Sequence, residues 1–405
     1  MTLLAHNPAT TLDPAAAYDS GPTPLAMRNH ARVRVEWLLP LIALALALIG
    51  ALLVWSATRA ELQRSGGNPQ SYLYRHLFNV GIGIVLFSLA ARMDMRLLRL
   101  IGPVLYVLSL LGLLSVFVIG STINGAHAWI VIGGGFEVQP AEFMKLGLIA
   151  GMAVMFTHRA IARGNEDRPS NLDVLIALAL AGVPLALIML QPDVGSAIVL
   201  CAAAFGVLVA AGVRARWLIA MLLGGALLVV FAVKSGVVAS YQLDRLGAFV
   251  NPKHDTQGAA YNITQAHIAI ANGHLFGTGL FHGPQTNGSF VPEQQTDFVF
   301  SVAGEELGFA GSGVIIALFG LLCWRGLRIA SAARGSGRLI ACGIVCWFAF
   351  QAFQNIGMNL GLTPVTGLPL PFVSYGGSSL FAQSLAIGLL IAVGRHSRAE
   401  AGRPQ

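Results

Sequence analysis

The sequence predicts an all-α polytopic membrane protein with about ten transmembrane helices. Three observations carry that prediction. Of 405 residues, 55% are apolar and only 11% are charged, against roughly 25% charged in an average soluble domain. Mean hydropathy is +0.70. Apolar runs near the roughly 20 residues needed to cross a bilayer recur along most of the chain. The 25 basic and 18 acidic side chains are too few to cover a soluble fold of this length. The same numbers exclude disordered, collagenous, coiled-coil and disulfide-rich secreted classes.

The elements follow in order. Residues 1–34 are polar and Pro/Ala-rich, with no short apolar core before a small-residue cleavage site. They are expected to form a cytoplasmic tail rather than a cleaved signal peptide. A membrane domain is expected over 35–395 and a second cytoplasmic tail over 396–405. The first spans are read at about 35–56, 77–91 and 97–119, with Arg92, Arg96 and Arg99 between the second and third. The fourth, about 142–157, opens at Gln139-Pro140 and ends before Arg159 and Arg163. Spans at about 172–190 and 194–213 are split by Gln191-Pro192, and Arg214 and Arg216 precede one at about 217–237. Proline at a helix start is ordinary. The eighth, about 298–324, contains Glu305, Glu306, Gly308, Gly311 and Gly313. It is expected to kink or break there, with its backbone facing protein or water. The last two lie at about 339–360 and 378–394. Cys201, Cys323, Cys342 and Cys346 fall inside apolar runs and read as small buried hydrophobes.

Charge sets the orientation. With the N-terminus inside, the inner segments hold 18 of the 25 basic residues and the outer segments six, with Lys145 inside a span. That asymmetry places both termini in the cytoplasm. The basic residues form no single patch, so the net charge of +7 does not indicate nucleic acid. The bulk outside the bilayer lies at 120–141, in a large extracytoplasmic loop at about 238–297 between helices 7 and 8, and at 361–377. Long loops are often functional, so chemistry is expected on the outer face.

Four stretches hold residues suited to chemistry. Asn124-Gly-Ala-His-Ala-Trp129 leads to Gln139-Pro-Ala-Glu-Phe-Met-Lys145. Glu142 and Lys145 share a helix face. They read either as a structural ion pair or as a pair that also lines an anion-handling cavity. Trp129 reads equally as an interfacial tryptophan. In Gln191-Pro-Asp193-Val-Gly-Ser196, Asp193 also suits an N-cap. The third stretch ends in Phe290-Val-Pro-Glu293-Gln-Gln-Thr-Asp297-Phe-Val-Phe300. Asp297 falls where a polar loop meets a membrane helix. Desolvation there raises a carboxylate pKa and suits a general base, while a helix cap is the plainer reading. The fourth runs from Asn355 to Asn359 and then from Pro364 to Ser379, with Pro364, Pro369 and Pro371 before Ser374 and Tyr375 and the pair Gly376-Gly377 after them. It reads as a loop whose backbone N–H groups and hydroxyls suit a phosphate, or as a tight connector. A Walker loop, a dinucleotide fingerprint, zinc-type spacing and a nucleophile elbow are all absent from the sequence.

Taken together, the stretches resemble the SEDS family of bacterial shape, elongation, division and sporulation proteins. The resemblance runs from about residue 35 to 395. It rests on Val291-Pro-Glu-Gln-Gln-Thr-Asp-Phe-Val-Phe with Gly304-Glu-Glu-Leu-Gly, on Pro369-Leu-Pro-Phe-Val-Ser-Tyr-Gly-Gly-Ser-Ser, and on Gln139-Pro-Ala-Glu and Gln191-Pro-Asp. Thr366-Gly-Leu-Pro-Leu-Pro-Phe is closer to the elongation branch, RodA-like, than to the division branch, FtsW-like.

The resemblance implies a peptidoglycan glycosyltransferase of the bacterial cytoplasmic membrane. It would polymerise lipid II on the outer face, release undecaprenyl pyrophosphate, and work with a class B penicillin-binding protein. It places the essential acid on Asp297 and functional residues on Trp129, Glu142 and Lys145. Gln139, Asp193, Glu293 and Ser374 join them as expected substrate contacts. The chain departs from its relatives at Ala128 and Glu137, where many have Arg, and at Gln295, where His is common. Pyrophosphate contacts would then fall to Lys145 or Arg245. The expected step inverts the donor carbon, with Asp297 as base and Lys145 at the leaving group. The motifs demand no cofactor, and a divalent cation, Mg2+ or Mn2+, is the one candidate. Two alternatives remain open: a lipid II flippase using Glu142, Lys145, Glu305 and Glu306 as a polar pathway, and a non-catalytic scaffold of the synthase.

Overall fold

A computed structural model describes residues 36–123, 125–133, 136–164, 168–234, 245, 247, 249 and 258–401. The expected tail over 1–34 and much of the first half of the expected loop at about 238–297 lie outside the described residues. Helices α1 (Leu38–Arg64), α2 (Ser71–Ala91) and α3 (Met95–Ile119) come first. Strands β1 (Ser121–Ile123), β2 (Ala126–Gly133) and β3 (Phe136–Val138) follow. Then come α4 (Pro140–Ala162), α5 (Asn171–Leu190), α6 (Val194–Ala210) and α7 (Ala215–Lys234). The remainder is α8 (Ala259–Asn272), α9 (Pro284–Gly288), α10 (Val299–Glu306), α11 (Gly308–Ala332), α12 (Gly335–Asn359) and α13 (Gly377–Ala401).

Among the described residues, eight helices are long and apolar enough to cross a membrane: α1 to α5 and α11 to α13. Shorter apolar helices at Val194–Ala210 and Ala215–Leu227 complete the ten predicted runs. The bundle has an inside. In α4 and α13, 78% of the apolar window is buried, and in α12 67%, against 28% in α2, α3 and α5. Three helices therefore form the centre and the others shield it, with apolar outer faces suited to lipid. α2 packs on α13, α3 on α4, and α6 on α12. The cysteines depart from expectation: Cys201 is exposed and Cys323, Cys342 and Cys346 are half-buried, all free. A thiol is apolar enough to face lipid, so an apolar run alone does not place it in the core.

The short second and fourth runs extend to 21 and 23 residues because each helix continues past the apolar stretch. Residues 120–141 are not merely a loop. They form a three-stranded antiparallel sheet in the order β1-β2-β3, with Trp129 opposite Ser121 and Ile130 opposite Val138. Asn124-Gly125 after β-branched Thr122 and Ile123 was the available signal.

The eighth run breaks where expected. α10 ends at Glu306 and α11 starts at Gly308, whose φ of 69° needs glycine. The turn after α8 packs closely against this break. A Cβ on Gly273 would stand 1.8 Å from the Gly304 carbonyl oxygen. Gly273→Ala is therefore expected to destabilise by about 2 kcal/mol or more. Gly313→Ala, in α11 with open space around it, is expected to be neutral or slightly stabilising. Thermal unfolding of both variants in detergent checks the contrast. Equal midpoints would refute the contact.

At one end of the bundle Glu36 bridges Arg325 and Arg398, and Arg159 and Arg163 grip buried Asp173. Asp173 also completes a capping box with Ser170 at the start of α5. The opposite end carries the loops of the candidate site.

Candidate active site

Asp297 sits in the segment that leads into α10. Glu293, with a φ of 51°, starts a tight turn there. The N–H groups of Thr296, Asp297 and Phe298 all donate to its carbonyl, at 3.1, 3.0 and 3.3 Å. Helix α12 takes hold of the same turn. Asn355 and Asn359 donate through Nδ2 to the Asp297 carbonyl, at 2.8 and 3.1 Å. Phe298, at the N-cap of α10, has no side-chain capping bond. Asn359 supplies the cap from α12 instead: its Oδ1 accepts the Ser301 N–H at 3.1 Å. The backbone of Asp297 is thus fixed independently of its carboxylate.

The second wall is the loop between α12 and α13. Gly367, with a φ of 70°, lies against the acid. A Cβ built there would be 3.4 Å from Asp297 Oδ2 and 3.6 Å from Arg245 Nη1. Carboxylate and guanidinium therefore meet the loop at one point. The loop is tied down along its length. Pro364, Leu368 and Pro369 carbonyls accept from Gln354 (3.1 Å), Asn355 (2.7 Å) and Gln351 (2.8 Å). The Ser374 hydroxyl accepts the Leu370 N–H at 2.8 Å and donates to the Thr296 carbonyl. The Tyr375 N–H donates to the Gln295 carbonyl at 2.9 Å. Ser374 is buried, and these bonds make it a tie between the two motif segments.

The electrostatics are those of a strained acid. Loss of hydration, together with the neighbouring Glu293 and Asp193 charges, pushes the Asp297 carboxyl up to about 7. Arg245 and a hydrogen bond from Thr296 oppose that rise. Glu293 itself accepts from the Thr296 hydroxyl at 3.1 Å.

The other predicted residues fall into two groups beside this centre. Asp193 does cap α6, accepting the Ser196 N–H at 2.9 Å, and it also accepts from Gln139 Nε2 at 2.6 Å. The two Gln-Pro motifs are thereby joined. α6 touches the loop, since a Cβ on Gly195 would stand 2.6 Å from the Thr366 carbonyl oxygen. Lys145 and Glu142 pair at 2.6 Å, with side chains 0% and 1% exposed. The lysine also donates to Gln351 Oε1 at 3.3 Å and lies 5.1 Å from the Trp347 ring centroid. Lys145 is therefore sealed inside the protein. Of the two cations predicted to meet pyrophosphate, Arg245 is the one at the carboxylate. Trp129 is half-buried on β2, in the sheet that precedes Gln139.

Glu305 and Glu306 belong to a different network from Lys145. Glu305 accepts from the Gln285 and Thr286 N–H groups, both at 2.8 Å, and from the Thr286 hydroxyl at 2.7 Å. Glu306 accepts from the Ser56 hydroxyl and the Phe281 N–H. Both acids anchor the segment at 281–286 rather than extend a path from Glu142.

Sequence reasoning missed Gln351, and named Gly367, Asn355 and Asn359 without a role. The available signal was three carboxamides at i, i+4 and i+8 in an apolar helix, where polar groups are costly unless they have work. No group of three or more His, Cys, Asp or Glu that could hold a metal occurs among the described residues.

Comparisons with known proteins agree with this architecture. The FtsW/RodA/SpoVE family model, described as a cell cycle protein, matches residues 36–399. Stage V sporulation protein E of Bacillus subtilis is 35% identical over 366 residues, covering 90% of this chain and 98% of the relative. A probable peptidoglycan glycosyltransferase FtsW of Allochromatium vinosum is 36% identical over 395 residues, covering 93% and 94%. Among solved structures, a chain of a peptidoglycan synthase complex that coordinates polymerization and crosslinking matches with a TM-score of 0.73 and 33% identity, covering 90% and 98%. The crystal structure of the rod shape determining protein RodA of Thermus thermophilus matches with a TM-score of 0.65 and 32% identity, covering 89% and 97%.

Proposed function

The chain belongs to the FtsW/RodA/SpoVE family, the SEDS proteins, and from that premise we propose that it is a peptidoglycan glycosyltransferase that polymerises lipid II. The observation that carries the reading is Asp297: a carboxylate with a raised pKa, its backbone clamped, facing a glycine loop and one arginine.

Lipid II carries an α-linked pyrophosphate and glycan strands are β-linked, so the step inverts the anomeric carbon. Asp297 takes the proton from the acceptor 4-hydroxyl as that oxygen bonds to the donor carbon. The bond from that carbon to the phosphate oxygen breaks, and undecaprenyl pyrophosphate leaves. A base poised near the working pH suits this transfer. Arg245 stabilises charge developing on the leaving group. A divalent cation carried on the substrate pyrophosphate would supply further charge neutralisation there. Glu293, Ser374, Gln139 and Asp193 shape the surrounding wall, and Trp129 stands on the sheet before Gln139. The setting is the outer face of the bacterial cytoplasmic membrane, with a class B penicillin-binding protein as partner. The cellular role we assign is elongation, on the Thr366-Gly-Leu-Pro-Leu-Pro-Phe stretch.

The test is lipid II polymerisation by purified protein with its transpeptidase partner inactivated. Glycan strands are expected. Their absence, with the partner shown to be bound, would move the reading to a flippase or a scaffold.

A pH dependence follows. The base works only when ionised, so kcat is expected to rise as pH increases through about 7, with an acidic limb there. For stability the sign is opposite. Between the ordinary aspartate pKa and about 7, the folded chain holds a proton that the unfolded chain has lost. Folding stability contributed by this group therefore falls as pH rises through that window. A kcat profile flat between pH 5 and 8 would contradict the assignment of the base.

A further inference from the structure

We propose that Gln351 is a positioning residue that couples the buried Glu142–Lys145 pair to the loop facing Asp297; this rests on the glycosyltransferase reading above. Gln351 is fully buried on α12. Its Oε1 accepts from Trp347 Nε1 at 2.6 Å and from Lys145 Nζ at 3.3 Å. Two donors on one oxygen set the orientation of the amide. Its Nε2 is then aimed away from Lys145 and donates to the Pro369 carbonyl at 2.8 Å.

Pro369 lies two residues beyond Gly367, the residue against Asp297. One turn along α12, Asn355 holds the adjacent Leu368 carbonyl and the Asp297 carbonyl with the same Nδ2, at 2.7 and 2.8 Å. A second turn along, Asn359 holds the Asp297 carbonyl and the start of α10. Three carboxamides on one face of α12 thus tie both walls of the site to one helix. Lys145 stands at the far end of this ladder with no exposed surface. It acts on the reaction by holding Gln351, not by touching substrate.

The test is a double-mutant cycle on the full chain in detergent. One arm is Gln351→Met. The other is Glu142→Gln with Lys145→Met, which removes the ion pair without leaving a buried charge. Each arm alone is expected to lower kcat for lipid II by ~10- to 100-fold, with KM little changed, because the loss is of geometry. Combined, they are expected to fall no lower than the worse arm, within about twofold, since both break one chain of contacts. Multiplying losses would mean that Lys145 acts independently of Gln351 and would overturn the proposal.

The acidic limb of the pH profile gives a readout that a folding defect alone does not move. Releasing the loop hydrates Asp297, so the limb is expected at lower pH in Gln351→Met. An unmoved limb would count against the coupling. Should Gln351→Met fail to fold, Gln351→Glu keeps the acceptor for Lys145 and Trp347 and loses the donor to Pro369. Hydrogen exchange is then expected to quicken at residues 366–370, and unchanged protection there would overturn the proposal. Exchange does not depend on turnover. If the wild type made no strands, the functional reading would fail while the exchange result still judged the positioning.

Discussion

Asp297→Asn is expected to lower lipid II polymerisation by ~10²- to 10⁴-fold while leaving the fold intact or slightly more stable. The activity term follows from loss of the only general base the mechanism uses. The stability term follows from geometry. The Asp297 turn is held through main-chain atoms: its N–H on Glu293, its carbonyl on Asn355 and Asn359. None of these bonds needs the carboxylate. Removing the negative charge relieves repulsion with Glu293 and Asp193 and the cost of desolvation, the causes of the raised pKa. The opposing loss is the attraction of Arg245. Parallel measurements of strand synthesis and thermal midpoint test both parts. Wild-type synthesis would remove Asp297 as the base. A sharp fall in midpoint together with activity would reduce it to a structural residue.

Lys145→Met is expected to destabilise the protein by about 3–5 kcal/mol, among the largest single effects in the chain. The lysine is the partner of Glu142, both side chains are inside the protein, and Glu142 Oε2 already has no hydrogen-bond partner. Deleting the lysine leaves a carboxylate with nothing to offset its lost hydration. The size of the effect measures that orphaned charge, not the worth of the pair. Adding Glu142→Gln is therefore expected to restore most of the stability, because neutral groups of similar volume often replace a buried pair at little cost. Denaturation of the single and double variants in detergent decides the matter. A single variant within about 1 kcal/mol of wild type would show that the pair is hydrated, since exposed pairs are worth no more than that. A double variant no better than the single would place the loss in packing around Trp347.

The parts of the molecule that could be read in advance share a physical basis. Membrane spans are continuous apolar segments because every backbone polar group must be satisfied locally in lipid. Their number and the break at Gly308 are therefore written in consecutive residues. The acid of the site was legible for a related reason. A carboxylate at the junction of a loop and an apolar helix carries a cost that needs an explanation, and Asp297 stands at that junction. The Glu142–Lys145 pair was legible as neighbours on one helix face.

What the pair does was not legible. Two charges three residues apart form the same pair whether they line a cavity or are sealed. Only the packing of α4 against α12, with Trp347 and Gln351 over the lysine, puts them out of reach of solvent. The sheet at 121–138 escaped notice because two of its three strands are only three residues long, too short to show an alternating pattern.

By itself the sequence determined a multi-span helical membrane protein, the place of its broken helix, and the carboxylate on which the proposed chemistry turns. Tertiary structure alone decided which cation meets that carboxylate, that Asn359 caps a helix whose own N-cap residue cannot, and that Gln351 joins Lys145 to the loop. The reason is one of range. Hydropathy and helical periodicity are properties of adjacent residues, whereas Asp297, Gly367 and Asn355 converge from three separate segments. Which carbonyl a buried amide chooses depends on what the rest of the bundle brings within 3 Å of it.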